Sequence, residues 1–297
     1  MREKPENGEG VELCFDAQTI EDFAASLELS PYSVTSYKKC LSYFFKYLAD
    51  MRIVKPDSGD IAAYVAKLST SGRSNRTIYG YVASIRAFFR WTQSQGLYRD
   101  IASEIPLPEM ERMPNRKTLT AAQLKSVLTG INRETLQGMR DYAIVTLMLT
   151  AGLSPLEISQ ANVGDIGKTE SEYVLSVRSS DGQKRDTVKI QPHVMEVISK
   201  YLKTREEMKK PDAPLFISVS DRNRDKNEHM TVGSVSRIAK NALRKAGFDD
   251  KRLSARSLKV SAMKLALQRG ERLEDVQKFA RHRQIRTTFL YELNWLP

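Results

Sequence analysis

The sequence predicts a mainly α-helical protein of two domains, with a small β hairpin or sheet in the second domain. Apolar residues recur at three- and four-residue spacing along most of the chain, which is the period of an amphipathic helix. A proline-rich segment near residue 110 interrupts that pattern, and the flanks of Asp181 and Gly182 are rich in β-branched residues. With 297 residues, the chain is long enough for two cores of ordinary size.

The first domain is predicted over residues 15–106. It follows a tail of residues 1–14 that is acidic, rich in Glu and Gly, and expected to be mobile. Helical periodicity begins near Thr19, and Ser30, Asp57 and Ser74 each precede a further amphipathic stretch as helix start signals. The pattern therefore predicts a domain of four or five helices.

The second domain is predicted over residues 118–297, after an extended linker of residues 107–117 in a proline-rich stretch that cannot be helical throughout. Residues 139–153 are strongly apolar and predict a buried helix that ends at Gly152. Residues 173–177 and 187–190 predict the hairpin, because Asp181 and Gly182 between them supply the positive φ of a tight turn. Helical patterns resume after the hairpin.

The charge of the chain points to a polyanionic partner. The chain has 47 Lys and Arg against 36 Asp and Glu, a formal net charge of +11. Residues 111–297 hold 34 basic and 22 acidic side chains, so most of the excess lies in the second domain. Nucleic acid is the first expectation for such a balance, and a well-solvated basic surface is the alternative.

The sequence argues against a membrane protein, a secreted protein, a disulfide-rich protein and a metal-binding protein. No apolar run approaches the roughly 18 residues of a membrane span, and the polar, acidic start does not resemble a secretory signal. The two cysteines, Cys14 and Cys40, are too few for a disulfide scaffold and lack metal-ligand spacing with any histidine. We therefore expect no membrane, no metal and no other cofactor, and a location in the cytoplasm with the nucleoid DNA.

Basic side chains beside the apolar stripes of the first domain are candidate DNA contacts. Hydroxyl groups lie near them at two predicted helix starts, and both hydroxyls and helix N-termini donate hydrogen bonds to phosphates. The alternative is that they form only the solvated side of amphipathic helices. These residues are Lys38, Lys39, Arg73, Arg76, Arg86 and Arg90.

The most specific motif lies near the C-terminus. Two basic residues stand one helical turn apart, an Arg-His pair follows, and a tyrosine stands nine residues after that histidine, with two threonines in between. These residues are Arg256, Lys259, Arg281, His282, Thr287, Thr288 and Tyr291.

This arrangement resembles the active site of the tyrosine recombinase, or phage integrase, family. The family motif is His-x-x-Arg, then Gly-His, then Thr-Thr ahead of the nucleophilic tyrosine. The stretch from Arg140 to Glu157 is similar to the family segment that ends in Thr-Gly-Leu-Arg-x-x-Glu, and residues 30–34 and 88–91 are similar to parts of its core-binding domain. The resemblance covers residues 15 to 292.

The resemblance implies a SAM-like, helical core-binding domain followed by a catalytic domain of the tyrosine recombinase type. Members of the family clamp duplex DNA between these domains, and the tyrosine hydroxyl attacks a backbone phosphate to form a 3′-phosphotyrosyl link. Strand exchange follows in a tetramer on two paired sites. The implied partners are double-stranded DNA and either further copies of this chain or a second recombinase.

Two family positions have lost their positive charge. The first arginine of the family falls on Ser154, which cannot make the bidentate charged contact with phosphate. The hairpin lysine, which acts as the acid in the family, falls on Asp181, which is wrong in sign. Lys184 or Arg185 is expected to replace it from the same turn.

Two further positions keep a charge but change its chemistry. Arg256 stands for the histidine and Lys259 for the arginine of the helix motif, so positive charge is kept, but the neutral imidazole and the fork geometry of the arginine are not. The later histidine and the tyrosine match outright. Each missing transition-state donor typically costs about 10²–10³ in rate, so the replacements predict impaired cleavage.

The first hypothesis is therefore a recombinase or integrase, such as a mobile element carries, with Tyr291 as nucleophile. His282, Arg256 and Lys259 would hold the phosphate, and Lys184 would act as the acid. The second hypothesis is a catalytically inactive accessory or regulatory protein that keeps the fold for DNA binding. A third is a relative that nicks and reseals DNA without exchange.

Overall fold

The computed structural model describes residues 16–109, 117–178, 185–205, 210–218 and 228–293. The chain folds as two compact units, Met1–Pro114 and Asn115–Pro297. No helix within the described ranges is long and apolar enough to cross a membrane.

Three predictions fall wholly or partly outside the described residues. These are the acidic tail of residues 1–14, the hairpin turn at Asp181 and Gly182, and most of the linker predicted over residues 107–117. The predicted domain limits at residues 15, 106 and 118 stay a prediction.

The described part of the N-terminal unit contains four helices, and three of them begin at the predicted caps. The side chains of Ser30, Asp57 and Ser74 each accept a hydrogen bond from a backbone N–H in the first turn of the helix that follows. The helices are α1 (Ala17–Ala25), α2 (Pro31–Asp50), α3 (Ser58–Thr70) and α4 (Asn75–Ser94).

Aromatic side chains fill the core of this unit. Phe88 on α4 lies edge-on to Phe23 of α1 and Phe45 of α2, with ring centroids 5.6 and 5.2 Å apart. Phe44 and Phe89 are buried in the same core. Because edge-to-face pairs have preferred geometries, this core holds α1 and α2 against α4 in one arrangement.

The C-terminal unit is built around α6. Ile144, Val145, Leu147 and Met148 on this helix are fully buried, and α6 packs against α8, α9 and α10. The helices of the unit are α5 (Ala121–Thr129), α6 (Leu136–Thr150), α7 (Pro155–Ser159), α8 (Pro192–Lys203), α9 (Val232–Lys245), α10 (Ala255–Gln268), α11 (Leu273–Ala280) and α12 (Ile285–Leu293).

The predicted hairpin is part of a sheet of three antiparallel strands in order β1-β2-β3. In β2, Leu175 lies opposite Ile166 of β1 and Val188 of β3. Leu175 and Val177 point into the core, as the alternation in the sequence predicts. The strands are β1 (Ile166–Lys168), β2 (Tyr173–Arg178) and β3 (Arg185–Ile190).

Two limits of α6 differ from the prediction of residues 139–153. The helix begins earlier, at Leu136, because the hydroxyl of Thr135 accepts a hydrogen bond from the N–H of Gly138. It ends earlier, at Thr150, and Gly152 beyond it has φ +59°. A Cβ at Gly152 would lie 2.8 Å from the carbonyl oxygen of Phe279, so the end of α11 lies directly against this turn.

We expect Gly152→Ala to destabilise the C-terminal unit more than Gly247→Ala. Gly247 also has a positive φ, 86°, but a Cβ there would meet no atom within 4 Å. Gly247→Ala should lower the free energy of unfolding by about 1–2 kcal/mol, because an L-residue is disfavoured in the left-handed region. Gly152→Ala should add about 1–3 kcal/mol for the clash with Phe279.

Urea unfolding of the parent and of the two variants measures this difference in the free energy of unfolding, provided that the three proteins have the same m value. Equal losses in the two variants would contradict the close approach of α11 to the turn after α6.

Candidate active site

The candidate nucleophile and the candidate histidine are in contact. Tyr291 lies on α12 with 6% of its surface exposed, and its ring stacks on that of His282. The ring centroids are 5.8 Å apart and the planes differ by 17°. The stack uses the faces of the rings, so it fixes the two side chains relative to each other without using the phenol oxygen.

His282 is held through both its backbone and its ring. Its N–H donates to the carbonyl of Gln277 at 3.2 Å, and its own carbonyl accepts a hydrogen bond from the side chain of Gln277 at 2.9 Å. The ring Nδ1 lies 2.9 Å from the hydroxyl of Thr288, which is fully buried. The second threonine of the predicted motif therefore orients the imidazole.

Two cations of the predicted motif lie in the first turns of α10. Arg256 is exposed and Lys259 is half-buried. Among the described residues, neither side chain donates a hydrogen bond or forms an ion pair. Two positive groups that have no acceptor within the described ranges therefore lie together on one face of α10, an arrangement that suits a phosphate.

The pKa shifts show that these cations and the histidine influence one another. Burial lowers the pKa of His282 to about 4, and the nearby charges of Lys259, Arg256 and Arg281 act in the same direction. Burial also lowers the pKa of Lys259 to about 8, and Arg281 and Arg256 add to this effect while Glu157 opposes it. At pH 7 the imidazole is therefore neutral and the lysine is mostly charged.

Ser154 serves the start of a helix. Its hydroxyl accepts a hydrogen bond from the N–H of Glu157 at 3.3 Å, and its own N–H donates to Glu157 Oε2 at 2.6 Å. This capping box begins α7. The position at which the resemblance places an arginine thus has a structural task and supplies no positive charge.

Sequence reasoning missed the part that Arg281 plays. Its guanidinium donates to Glu157 through Nε at 2.5 Å and Nη2 at 3.0 Å, and also to the carbonyls of Ala151, Gly152 and Phe279. The available signal was an arginine where the family motif has glycine, directly before His282.

The acid predicted in the hairpin cannot be located. Asp181 and Lys184 lie outside the described residues. Arg185, the other candidate for this role, begins β3 and directs its Nη1 to Asp165, at 3.4 Å. That contact pairs Arg185 with a carboxylate next to β1.

A basic cleft of about 410 Å³ lies beside the motif in the C-terminal unit. Arg237, Lys240, Arg244 and Arg256 line it. The first three share one face of α9 at the spacing of a helix, a signal that sequence reasoning did not use. Lys240 and Arg244 pair with Asp249, at 3.5 and 2.9 Å.

The six cations predicted to bind DNA in the N-terminal unit have different surroundings. Lys38 forms an ion pair with Glu21 at 2.5 Å, and Arg73 lies over the ring of Tyr81 at 5.4 Å from its centroid. Arg86 is half-buried. The remaining three, which are exposed, are Lys39, Arg76 and Arg90. Their role in DNA binding stays a prediction.

Comparison with family models identifies the class of protein to which this fold belongs. Residues 117–294 match the phage integrase family, and residues 20–96 match the N-terminal SAM-like domain of phage integrases. The chain belongs to the phage integrase family, which is the family of tyrosine recombinases. The predicted fold class is confirmed in both domains.

Characterised relatives align over most of the chain. Tyrosine recombinase XerA of Pyrococcus furiosus is 28% identical over 276 residues, which cover 93% of this chain and 89% of the relative. Tyrosine recombinase XerD of Listeria innocua is 24% identical, and the alignment covers 92% of each chain. Relatives of this kind place the protein in DNA recombination.

Solved structures share the fold at low sequence identity. The XerH site-specific recombinase in a pre-cleavage complex with its difH substrate superposes with a TM-score of 0.75 at 17% identity, covering 93% of this chain and 82% of that one. A dimer of lambda integrase residues 75–356 bound to a COC′ core site gives 0.69 at 13% identity, covering 92% and 94%.

We expect His282 to make the protein less stable in acid. As the pH falls from 6.5 to 4, the unfolded chain binds a proton at this imidazole that the folded chain does not bind. The free energy of unfolding should therefore fall through this window, by at most about 1.4 kcal/mol per pH unit from this group.

The measurement compares urea unfolding of the parent and of His282→Asn across that range. The variant should show a shallower fall, whereas His193→Asn, a change of an exposed histidine, should follow the parent. A parent and a His282→Asn variant with the same pH dependence would contradict the buried, neutral imidazole.

Proposed function

We propose that this chain cleaves and rejoins DNA strands as a site-specific recombinase or integrase, through a 3′-phosphotyrosyl intermediate. The observation that carries the proposal is the stack of Tyr291 on His282 in the same electrostatic site as Arg256 and Lys259. A nucleophile, an imidazole and two cations that have no acceptor in the described part of the chain are the groups that phosphoryl transfer to a tyrosine requires.

In the proposed reaction, Arg256 and Lys259 bind the non-bridging oxygens of the scissile phosphate. The oxygen of Tyr291 attacks phosphorus, the bond from phosphorus to the 5′-oxygen breaks, and the leaving oxygen takes up a proton from Lys184, the acid that the sequence predicts. The phenol proton passes to a base, a role that we assign to the neutral imidazole of His282, whose ring stacks on that of Tyr291. Attack by the freed 5′-hydroxyl of another strand reverses these steps and releases the tyrosine.

Two features make this reaction slow. Ser154 supplies no cation where the family pattern has an arginine, and Arg281 does not replace it, because its guanidinium donates to Glu157 and to carbonyl groups. Each absent donor typically lowers the rate by about 10²–10³. Tyr291 is also buried, which limits the access of a DNA phosphate to this side chain.

Double-stranded DNA is the proposed partner. The basic cleft lined by α9 adds cations to those predicted in the N-terminal domain, and phosphates are the ligands that such a surface attracts. Among proteins of similar fold, lambda integrase is found as a dimer on a core site and as a tetramer on a Holliday junction. We extend this to the present chain as assembly on DNA with further copies or with a second recombinase, in the cytoplasm where the nucleoid lies.

A second candidate function is that of an accessory or regulatory DNA-binding protein without strand cleavage. The contacts of Ser154 and Arg281 favour it, because one position has lost its cation and Arg281, directly before His282, has no N–H left for a phosphate. In this case the fold would be kept for binding DNA and for contacts with an active recombinase.

A covalent-adduct assay separates the two functions. The DNA is a duplex selected by binding from a random-sequence pool and then nicked, so that a short strand diffuses away after cleavage and the adduct accumulates. We expect the parent to give a DNA-linked band on a denaturing gel. Tyr291→Phe should abolish the band but keep DNA affinity, because phenylalanine retains the ring that stacks on His282.

The matched control is Tyr142→Phe, which removes a hydroxyl elsewhere in the same domain and should leave the adduct unchanged. An adduct that persists in Tyr291→Phe would assign the nucleophile elsewhere. Absence of an adduct in the parent, together with steeply salt-dependent DNA binding, would establish the accessory function instead.

The rate of adduct formation at subsaturating DNA should fall as the pH rises through about 8. Lys259 loses its proton in this range and with it the charge that holds the phosphate. Lys259→Arg should remove this fall, because a guanidinium stays charged there. Lys264→Arg, the same exchange further along α10, should keep the profile of the parent, and a fall that persists in Lys259→Arg would exclude this lysine as its origin.

A further inference from the structure

Arg281 joins three segments of the C-terminal domain that meet beside the candidate active site. Its guanidinium contacts the carbonyls of Ala151 and Gly152 after α6, the carboxylate of Glu157 on α7 and the carbonyl of Phe279 on α11. The side chain is 9% exposed. Arg281 therefore lies inside the domain, although it directly precedes the histidine of the site.

These contacts use every N–H group of the guanidinium. The Nε group donates to Glu157, Nη1 donates to Ala151 and Phe279, and Nη2 donates to Gly152 and Glu157. A guanidinium has five N–H donors, and five acceptors are present. Arg281 consequently cannot bind a phosphate without giving up a buried hydrogen bond.

The backbone of Arg281 has a conformation that favours glycine. Its φ is 53° and its ψ is 41°, the left-handed region, and it ends α11 there. This conformation is disfavoured for an L-residue with a Cβ, by about 1–2 kcal/mol. The turn sets the direction of the next residue, His282, whose N–H closes back onto Gln277.

A continuous series of contacts runs from this turn to the nucleophile. Glu157 binds Arg281, Arg281 precedes His282 in the chain, and the ring of His282 contacts both the hydroxyl of Thr288 and the ring of Tyr291. A shift of the turn at Arg281 therefore moves the imidazole of His282, against which the ring of Tyr291 packs.

We propose that Arg281 is a positioning residue, whose guanidinium holds the turn that presents His282 and Tyr291 to the phosphate and does not itself bind the phosphate. The expected effect on the rate of adduct formation rests on the proposed function, strand cleavage. The expected effect on the positions of the His282 and Tyr291 rings does not depend on cleavage.

The main variant is Arg281→Gly, which removes the guanidinium and also relieves the left-handed backbone, so that the turn can still form. We expect adduct formation to slow by about 10–100-fold, since small misplacements of reacting groups have effects of this size. DNA affinity should stay within about twofold of the parent, because no phosphate contact is lost.

Chemical rescue tests whether the guanidinium itself is responsible. Guanidinium chloride, at a concentration at which parent and variant are both folded, should restore part of the adduct rate of Arg281→Gly by occupying the site beside Glu157. The matched control is Arg272→Gln, at the other end of α11, where the side chain is exposed and pairs with Glu274. Its adduct rate and DNA affinity should equal those of the parent, with or without added guanidinium.

Nuclear magnetic resonance of the His282 ring tests the placement without DNA. In Arg281→Gly the pKa of this imidazole should rise, because one of the charges that lower it is removed, and the ring-to-ring contacts with Tyr291 should weaken. Arg272→Gln should change neither the pKa of His282 nor its ring contacts with Tyr291. Should Arg281→Gly fail to fold, Arg281→Lys keeps the charge but loses the fork, and weakened ring contacts are expected there.

The outcomes distinguish this inference from the proposed function. No adduct in the parent, with altered ring contacts in Arg281→Gly, would overturn the proposed function and support the positioning role. Unchanged ring contacts, an unchanged pKa of His282 and an unchanged adduct rate would overturn the positioning role. A loss of DNA affinity as large as the loss of rate would identify Arg281 as a phosphate ligand and overturn the inference as well.

Discussion

The ion pair between Glu157 and Arg281 is the contact on which the geometry of the site depends. It joins residues 124 positions apart in the chain, and both side chains are nearly inaccessible to solvent. Burial alone would raise the pKa of Glu157, but the hydrogen bonds and the charge of Arg281 outweigh it, so the pKa lies below its usual range. Removal of either partner would leave a buried charge uncompensated, which is far more destabilising than the loss of a surface ion pair.

The pairing also determines which charges remain available to a ligand. Arg281 forms an ion pair with Glu157, while Arg256 and Lys259 have no carboxylate within ion-pair distance among the described residues. Burial is the main cause of the low pKa of His282 and of Lys259. The charges of Arg256 and Arg281 add to it at both groups, while Glu157 opposes it at Lys259. A site in which positive charges repel one another in this way is suited to an anion, because a bound phosphate relieves the repulsion.

Local signals in the sequence were enough for most of the fold. Ser30, Asp57 and Ser74 each precede an amphipathic stretch and each caps the predicted helix. The strand β1 was missed because it has only three residues, one of them Gly167, and shows no alternation. The limits of α6 were shifted because the cap at Thr135 lies outside the apolar run that marked the helix.

The site was predictable only as far as it follows a linear motif. The spacing of His282 and Tyr291 predicted a contact that the structure contains. The positions of Arg256 and Lys259, one helical turn apart, predicted two positive charges on one face of a helix. The acceptors of Arg281 are mostly backbone carbonyls from other segments, which no side-chain pattern reveals. The basic face of α9 was overlooked because its apolar face gave the stronger signal.

The capping box at Ser154 also limits the routes by which this protein could evolve toward the family pattern. An arginine at this position would supply the cation of that pattern, but it would remove the hydroxyl that starts α7, a loss of about 0.5–2 kcal/mol. It would also meet a carboxylate already occupied by Arg281. A single substitution of Ser154 by arginine is therefore destabilising. Only a simultaneous change of Ser154 and Arg281 would avoid this loss of stability.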